Sequence, residues 1–365
     1  MRIGLVSPYS LAAFGGVQGQ VVGLAEALTR RGHLVVVAAP EPTGPAAQRL
    51  MDRGIQLIDA GATIGIRANG SVAPVSLDLR ASVAVRRALI RFGVDVVHLH
   101  EPLAPSAGYA CILKPPAPLV GTFHRAGGGP MFHLLAPIRP LLGARLKRSF
   151  AVSNAALEFS NYVTTADVEV LFNGVDLDAL TRAVPLSFDG PSIGFIGRHE
   201  KRKGLAVLLE AHRELEGVTL VIAGEGPETE HLMAEYPPSS TRKWLGRVSE
   251  EDKYGLSLAA DIFCAPSLGG ESFGVVVIEA LAARSLVVAS DLPGYGEAAN
   301  GHALLVQPGD VAALRVALRS ALGALADRQG RGSLDSLELG AEHAASWSLD
   351  HLAARYEAAY LEALH

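Results

Sequence analysis

The stretch Ser192-Ile193-Gly194-Phe195-Ile196-Gly197-Arg198-His199-Glu200-Lys201-Arg202-Lys203-Gly204 decides how the chain is read. It opens with a short apolar run that does not alternate with polar residues. Such a run marks a strand buried on both faces, as in a parallel sheet. A glycine and a basic loop end it, and a helical pattern follows. The run comes after a looser stretch, 176–191, and starts a series: 192–196, 218–223, 262–265 and 286–289. An earlier series starts at Met1, with runs at 3–6, 34–39, 94–99, 119–122 and 149–152. Helical patterns separate the runs, which predicts α/β architecture with parallel sheets. Because the pattern begins twice, two Rossmann-like doubly wound domains are expected, facing a central cleft at the carboxyl ends of their strands. No internal sequence repeat is evident.

Bulk properties narrow the function. A chain of 365 residues suits two domains, and 49% hydrophobic residues supply two cores. The net charge of −5, with no long Lys/Arg run, argues against broad nucleic-acid binding. The two cysteines, Cys111 and Cys264, lie in apolar surroundings and form no disulfide framework, which fits a reducing, cytoplasmic compartment. The start, Met1 to Val6, is too short and too soon followed by Pro8 to be a signal peptide. No apolar run approaches the roughly 20 residues that span a bilayer, so any membrane role is peripheral.

The chemistry centres on Gly269-Gly270-Glu271-Ser272-Phe273-Gly274-Val275-Val276-Val277-Ile278-Glu279. One carboxylate sits in a Gly/Ser-rich loop and a second follows on a helix read from Val275 to Ala283. Free N–H groups at such a loop and helix start suit a diphosphate. Glu271 is placed to accept hydrogen bonds from sugar hydroxyls, and Glu279 from a ribose. In the 192–204 stretch, Arg198 can fork onto phosphate oxygens and Lys203 adds a point charge. Gly15-Gly16, between a strand and the helix 17–30, lets backbone approach a ligand; alone it is equally an ordinary turn. Gly121-Thr122-Phe123-His124 brings a histidine to a strand's carboxyl end. Ala223-Gly224-Glu225-Gly226-Pro227 is a partial dinucleotide fingerprint. Thr229 stands where its third glycine belongs and no acidic residue follows about twenty positions on, so a nicotinamide dehydrogenase is not expected. Asp176-Leu177-Asp178 reads as a helix cap.

Together these stretches resemble the retaining glycosyltransferases of family 4, with the GT-B fold. The matching features are the Glu-x7-Glu pair Glu271/Glu279, the Gly-Arg-x4-Lys-Gly run ending at Gly204, Gly15-Gly16, His98-Leu99-His100-Glu101-Pro102 and Thr122-Phe123-His124. The resemblance covers nearly the whole chain. It implies domains at 1–172 plus 348–365 (acceptor side, with a final helix that crosses back) and 173–347 (nucleotide-sugar side). It implies His124, Glu271, Arg198 and Lys203 as reaction residues. Donor contacts would come from Gly15, Gly16, Arg198, Lys203, Gly224, Val248, Glu250, Lys253, Glu271, Ser272, Phe273, Gly274 and Glu279. A backbone group at Val248 with Glu250 and Lys253 would read a guanine.

Within the family the resemblance implies GDP-mannose as donor, phosphatidylinositol or a related lipid or inositol as acceptor, and retention of configuration. Tyr9, Ser10 and Arg125 would face the acceptor. This side departs from the pattern: Leu103 replaces an Asn, Ala12 an acidic residue, and Arg125-Ala126-Gly127-Gly128-Gly129-Pro130 a Ser/Thr-rich run. A UDP-sugar with another acceptor is the alternative. The basic helix 80–91 and the stretch 131–150 are candidates for contact with anionic lipid on the membrane's inner face. Same-face substitution through an oxocarbenium-like state fits, with Arg198 and Lys203 neutralising the leaving group and no metal required. The rivals are a nucleotide-sugar epimerase of the same fold and a binding protein without turnover.

Overall fold

A computed structural model describes the chain except for residues 13–14, 69–70, 77, 104–106, 126–138, 162–163, 165–166 and 327–330. Residues 131–138 of the second lipid-contact stretch and residues 126–130 of the departure after Arg125 lie outside the described residues. The chain divides into two compact units, Met1–Gly174 with Leu349–His365, and Val175–Ser348.

The first unit carries a seven-stranded parallel sheet: β1 Arg2–Val6, β2 Leu34–Ala39, β3 Gln56–Asp59, then, after the hairpin β4 Ile64–Ala68 and β5 Ser71–Val75, β6 Val96–His100, β7 Leu119–Phe123, β8 Leu146–Ala151 and β9 Val168–Val170. Their order is β3-β2-β1-β6-β7-β8-β9. The chain winds outward from β1 in one direction, returns, and winds the other way from β6. The reversal falls between β1 and β6, where open α/β sheets bind ligands beyond their strand ends. Ile3, Leu5, Val37, Val96 and Val120 are buried in one core with Val21, Leu24 and Leu28 of the helix Gly16–Arg30. The final helix, Leu349–Ala363, belongs to this unit and puts Leu349, Leu352, Tyr356 and Tyr360 into the same core.

The second unit has six parallel strands: β10 Ser192–Ile196, β11 Thr219–Ala223, β12 Arg242–Gly246, β13 Ile262–Ala265, β14 Leu286–Ser290 and β15 Ala303–Val306. Their order, β12-β11-β10-β13-β14-β15, reverses between β10 and β13. The continuous apolar runs are the central strands, fully buried in β11 and β13. The run expected at 94–99 is the strand Val96–His100, because its pairing begins at Val96 opposite Ile3 and continues through His100 opposite Thr122.

Four strands of the two sheets escaped the reading because they lie at sheet edges. β3, β9, β12 and β15 have one paired side and are only partly buried; the hairpin β4–β5 was not read either. An edge strand needs no continuous apolar run, so Arg242-Lys243-Trp244 carries no strand signal. Asp176 caps the helix Leu177–Arg182, its Oδ1 accepting from the Ala179 N–H at 2.9 Å.

Candidate functional site

In the second unit the residues after β10 and β13 meet at the point of reversal. The loop after β10 ends in a single 3-10 turn, Lys201–Lys203. Gly204 closes that turn with φ +69°, and a Cβ there would stand 1.8 Å from the Pro266 carbonyl oxygen. Only glycine lets the basic turn lie this close to the loop after β13. The Leu268 N–H donates to the Arg202 carbonyl at 2.7 Å and fastens the two loops.

A chain of ion pairs then runs across them. Arg198 Nη2 lies 3.0 Å from Glu200 Oε1, and Arg202 Nε lies 3.0 Å from Glu200 Oε2. Arg202 Nη1 reaches Glu271 Oε1 at 3.0 Å, and Lys203 Nζ reaches the same oxygen at 2.7 Å. The Ser267 hydroxyl donates to it as well, at 3.2 Å, and lies 2.8 Å from the Tyr295 hydroxyl. Burial, reinforced by Glu271, raises the Tyr295 pKa. Glu271 Oε1 therefore takes three donors, while Oε2 has no protein partner among the described residues. A half-buried carboxylate with one oxygen anchored and one open is built to accept a further hydroxyl.

Downstream, Phe273 is buried and Gly274 (φ +102°) starts the helix Val275–Ala282. The helix has no side-chain cap and no acidic residue in its first turn, which leaves its N-terminal N–H groups for an anion. Ser272 is partly exposed at this point. Gly224 lies against Gly197, beside Arg198: a Cβ on it would meet the Gly197 carbonyl oxygen at 1.9 Å.

Glu279 belongs to a second set of contacts. Its Oε1 accepts from Lys253 Nζ at 2.8 Å, and both side chains are nearly enclosed. Burial alone would lower the Lys253 pKa; Glu279, Glu250 and Asp176 outweigh it and raise it. The ammonium also stands 4.3 Å above the Tyr254 ring. Sequence reading assigned Lys253 to a base and Glu279 to a ribose, but here they form one pair. Ser249 caps the helix Glu250–Ala259, whose first turn holds Glu250, and Val248 packs partly buried against the cluster of Val221, Ala223, Leu256 and Ala260.

In the first unit the reversal point gathers the residues after β1, β6 and β7. Glu101 follows β6 with φ +53°, a left-handed backbone that is strained for a glutamate. Its Oε1 accepts the His124 N–H at 2.6 Å. Burial pushes the Glu101 carboxyl up to about 7, against the opposing His124 N–H and Arg125. Tyr9 is raised by burial and then by Glu101, while Arg125 acts in the opposite direction, so the three share one electrostatic environment. His124 is buried, its Nε2 2.8 Å from His100 Nδ1. Ser10 turns to Glu41, donating at 3.3 Å. Gly15 and Gly16 start the helix Gly16–Arg30 with no side-chain cap, and a Cβ on Gly16 would meet nothing within 4 Å.

Sequence reading selected Arg198, Lys203 and Glu271, and the fold brings them together. It missed Glu200, Arg202, Ser267 and Tyr295, which hold them in place. Arg202 lies beside Lys203 in a basic run, and nothing local distinguishes it. His100 entered the sequence reading only within the run 98–102, with no role of its own, yet it touches His124.

The helix Leu79–Phe92 is capped by Asp78 and by left-handed Gly93. Val85 and Leu89 face inward, whereas Leu79, Val83 and Ile90 are 68%, 40% and 47% exposed. Arg80, Arg87 and Arg91 share this outer face. No described helix is long and apolar enough to cross a membrane.

Comparison with known proteins places these features. Residues 14–179 match the model of Glycosyltransferase Family 4, and residues 190–323 that of Glycosyl transferases group 1. The phosphatidyl-myo-inositol mannosyltransferase of Mycobacterium tuberculosis H37Rv is 35% identical, over 87% of this chain and 86% of its own. That of Mycolicibacterium smegmatis is 34% identical, over 96% and 91%. Among solved structures, a glycosyltransferase from Rickettsia africae shares the fold with a TM-score of 0.77 at 21% identity, covering 100% of this chain and 98% of its own.

Proposed function

Because the chain belongs to glycosyltransferase family 4, we propose that it transfers mannose from GDP-mannose, with retention, to a hydroxyl of an inositol phospholipid. The observation that carries the reading is Glu271: Oε1 is anchored by Lys203, Arg202 and Ser267, and Oε2 is open beside a cationic loop. Oε2 accepts from hydroxyls of the transferred sugar. Arg198, Lys203 and the N–H groups at the start of the helix Val275–Ala282 take the diphosphate and stabilise its charge as it leaves. No metal is needed for that neutralisation. The leaving phosphate oxygen takes the acceptor proton. His124 contributes a hydrogen bond to the sugar, and Tyr9, Ser10 and Arg125 face the acceptor.

The names of the curated relatives support mannose and the inositol lipid. One observation favours a second donor reading. Lys253 is committed to Glu279, so the lysine proposed to read guanine is occupied. A UDP-sugar donor with a different acceptor follows if Glu250 and Val248 alone do not select guanine.

The lipid acceptor implies work at a membrane surface. The exposed face Leu79, Arg80, Val83, Arg87, Ile90 and Arg91 supports peripheral contact with an anionic leaflet, apolar side chains entering the interface and arginines meeting headgroups.

The test is nucleotide release from GDP-mannose, UDP-glucose and UDP-N-acetylglucosamine, each with and without phosphatidylinositol. Phosphatidylinositol-dependent GDP release is expected. GDP release stimulated only by another acceptor removes the lipid from the reading. UDP release removes GDP-mannose. Conversion of the donor without any acceptor makes the protein an epimerase.

A further inference from the structure

We propose that His100 is a positioning residue that fixes the tautomer of His124, so that His124 presents Nδ1–H, rather than a lone pair, to the substrate oxygen it meets. The proposal rests on the reading of His124 as a reaction residue.

His98 and His100 stand two residues apart on β6, so their side chains lie on the same face of the sheet. Their rings stack with centroids 4.4 Å apart and planes 24° apart. His98 is pinned at both nitrogens: Nδ1 lies 2.7 Å from the Tyr360 hydroxyl and Nε2 2.7 Å from Thr122 Oγ1. Thr122 Oγ1 in turn lies 3.1 Å from the Tyr356 hydroxyl. The final helix and β7 thus lock His98, and His98 supplies a fixed plate under His100.

Among the described residues His100 has one polar partner, His124 Nε2, at 2.8 Å from its Nδ1. Its own Nε2 is buried with no hydrogen-bond partner among them. Burial keeps all three rings neutral, lowering His98 and His124 to about 3 and His100 well below its ordinary value.

A neutral imidazole carries one N–H and one lone pair. If His124 donated to His100, the His100 proton would sit on Nε2, a buried N–H with no acceptor. Orphaned buried donors are rare and costly, and unfilled acceptors are better tolerated. His100 therefore donates from Nδ1, and its orphan is a bare lone pair. His124 Nε2 accepts, so the His124 proton is on Nδ1. Glu101 also holds His124, accepting its backbone N–H at 2.6 Å. With Nε2 occupied and Nδ1 protonated, His124 acts toward substrate as a hydrogen-bond donor and does not remove a proton.

Two substitutions at His100 separate tautomer control from packing. His100→Asn places an amide N–H near the position of Nδ1–H. His100→Asp places an acceptor there. His100→Asn is expected to keep most of kcat. His100→Asp is expected to lose roughly ten- to a hundredfold in kcat, with donor KM little changed, as for one misdirected hydrogen bond. Nitrogen-15 spectra of histidine-labelled protein, with His124 assigned from the spectrum of His124→Gln, should show a protonated Nδ1 and a bare Nε2.

A proton on His124 Nε2 overturns the proposal. So does equal activity, or equal loss together with equal melting temperatures, in the Asn and Asp variants. Should His124→Ala keep full turnover, the role of His124 in the reaction fails instead, and the spectrum still decides the tautomer.

Discussion

Lys203 Nζ lies 2.7 Å from Glu271 Oε1, an oxygen that Arg202 and Ser267 also reach. One carboxylate oxygen thereby orients two cations on the neighbouring loop, and the other stays open to a further donor. Glu271→Ala removes both functions and leaves Arg202 and Lys203 without this anion. A loss of about 10²–10³ in kcat is expected, the scale of removing one preorganised polar group from a transition state. Steady-state release of nucleotide checks it, and turnover near that of the unmodified protein would remove Glu271 from the reaction.

The pair Lys253–Glu279 is nearly enclosed. Glu279→Ala takes the ion-pair partner at 2.8 Å away from a buried ammonium and is expected to destabilise the second unit by roughly 3–5 kcal/mol. Replacing both, with Lys253→Met and Glu279→Leu, should be much milder than the sum of the two single changes. Urea unfolding of the four proteins measures the coupling. Additive single effects would show that the pair contributes no mutual stabilisation.

Glu101 gives a pH dependence of definite sign. Its folded carboxyl titrates at about 7, above the unfolded value near 4.5. Between those values the folded state holds a proton that the unfolded state has lost, so stability falls as pH rises through that window. Glu101→Gln keeps the uncharged form and is expected to remove the fall, which amounts to roughly 3 kcal/mol at full effect. Buried His98 and His124 act in the opposite sense: their folded values, depressed to about 3, let stability fall as pH drops from about 6.5 toward 3. Melting temperatures of the two proteins from pH 4 to pH 8 should diverge above about pH 5. Parallel curves would assign Glu101 an ordinary carboxyl.

Arg80, Arg87 and Arg91 lie on the outer face of the helix Leu79–Phe92. Each is expected to contribute about 1 kcal/mol to binding of anionic vesicles, or roughly fivefold in affinity. The triple change to serine should therefore weaken co-sedimentation with phosphatidylinositol-containing vesicles by about a hundredfold, leaving release of nucleotide with a water-soluble acceptor intact. Equal sedimentation of the two proteins would place membrane contact elsewhere.

Much of the fold follows from local sequence. Runs such as 193–196 and Leu34–Ala39 carry no polar side chain because their strands are covered on both faces. The loop after β10 advertises its charge, and Glu271 stands among glycines that free the backbone. Central strands and the basic and glycine-rich loops that follow them are one-dimensional signals: composition and spacing within about ten residues specify them.

Tertiary structure decided the pairings. Lys253 and Glu279 come from different helices, Arg202 and Glu271 from loops after different strands, and His100 and His124 from the ends of neighbouring strands. Tyr360 reaches His98 only because the final helix joins the first unit's core. Sequence nominated reacting groups by residue type. Which oxygen is anchored, which nitrogen is orphaned and which cation is already paired depend on through-space distances of about 3 Å between remote segments, and those distances exist only once the sheets are assembled.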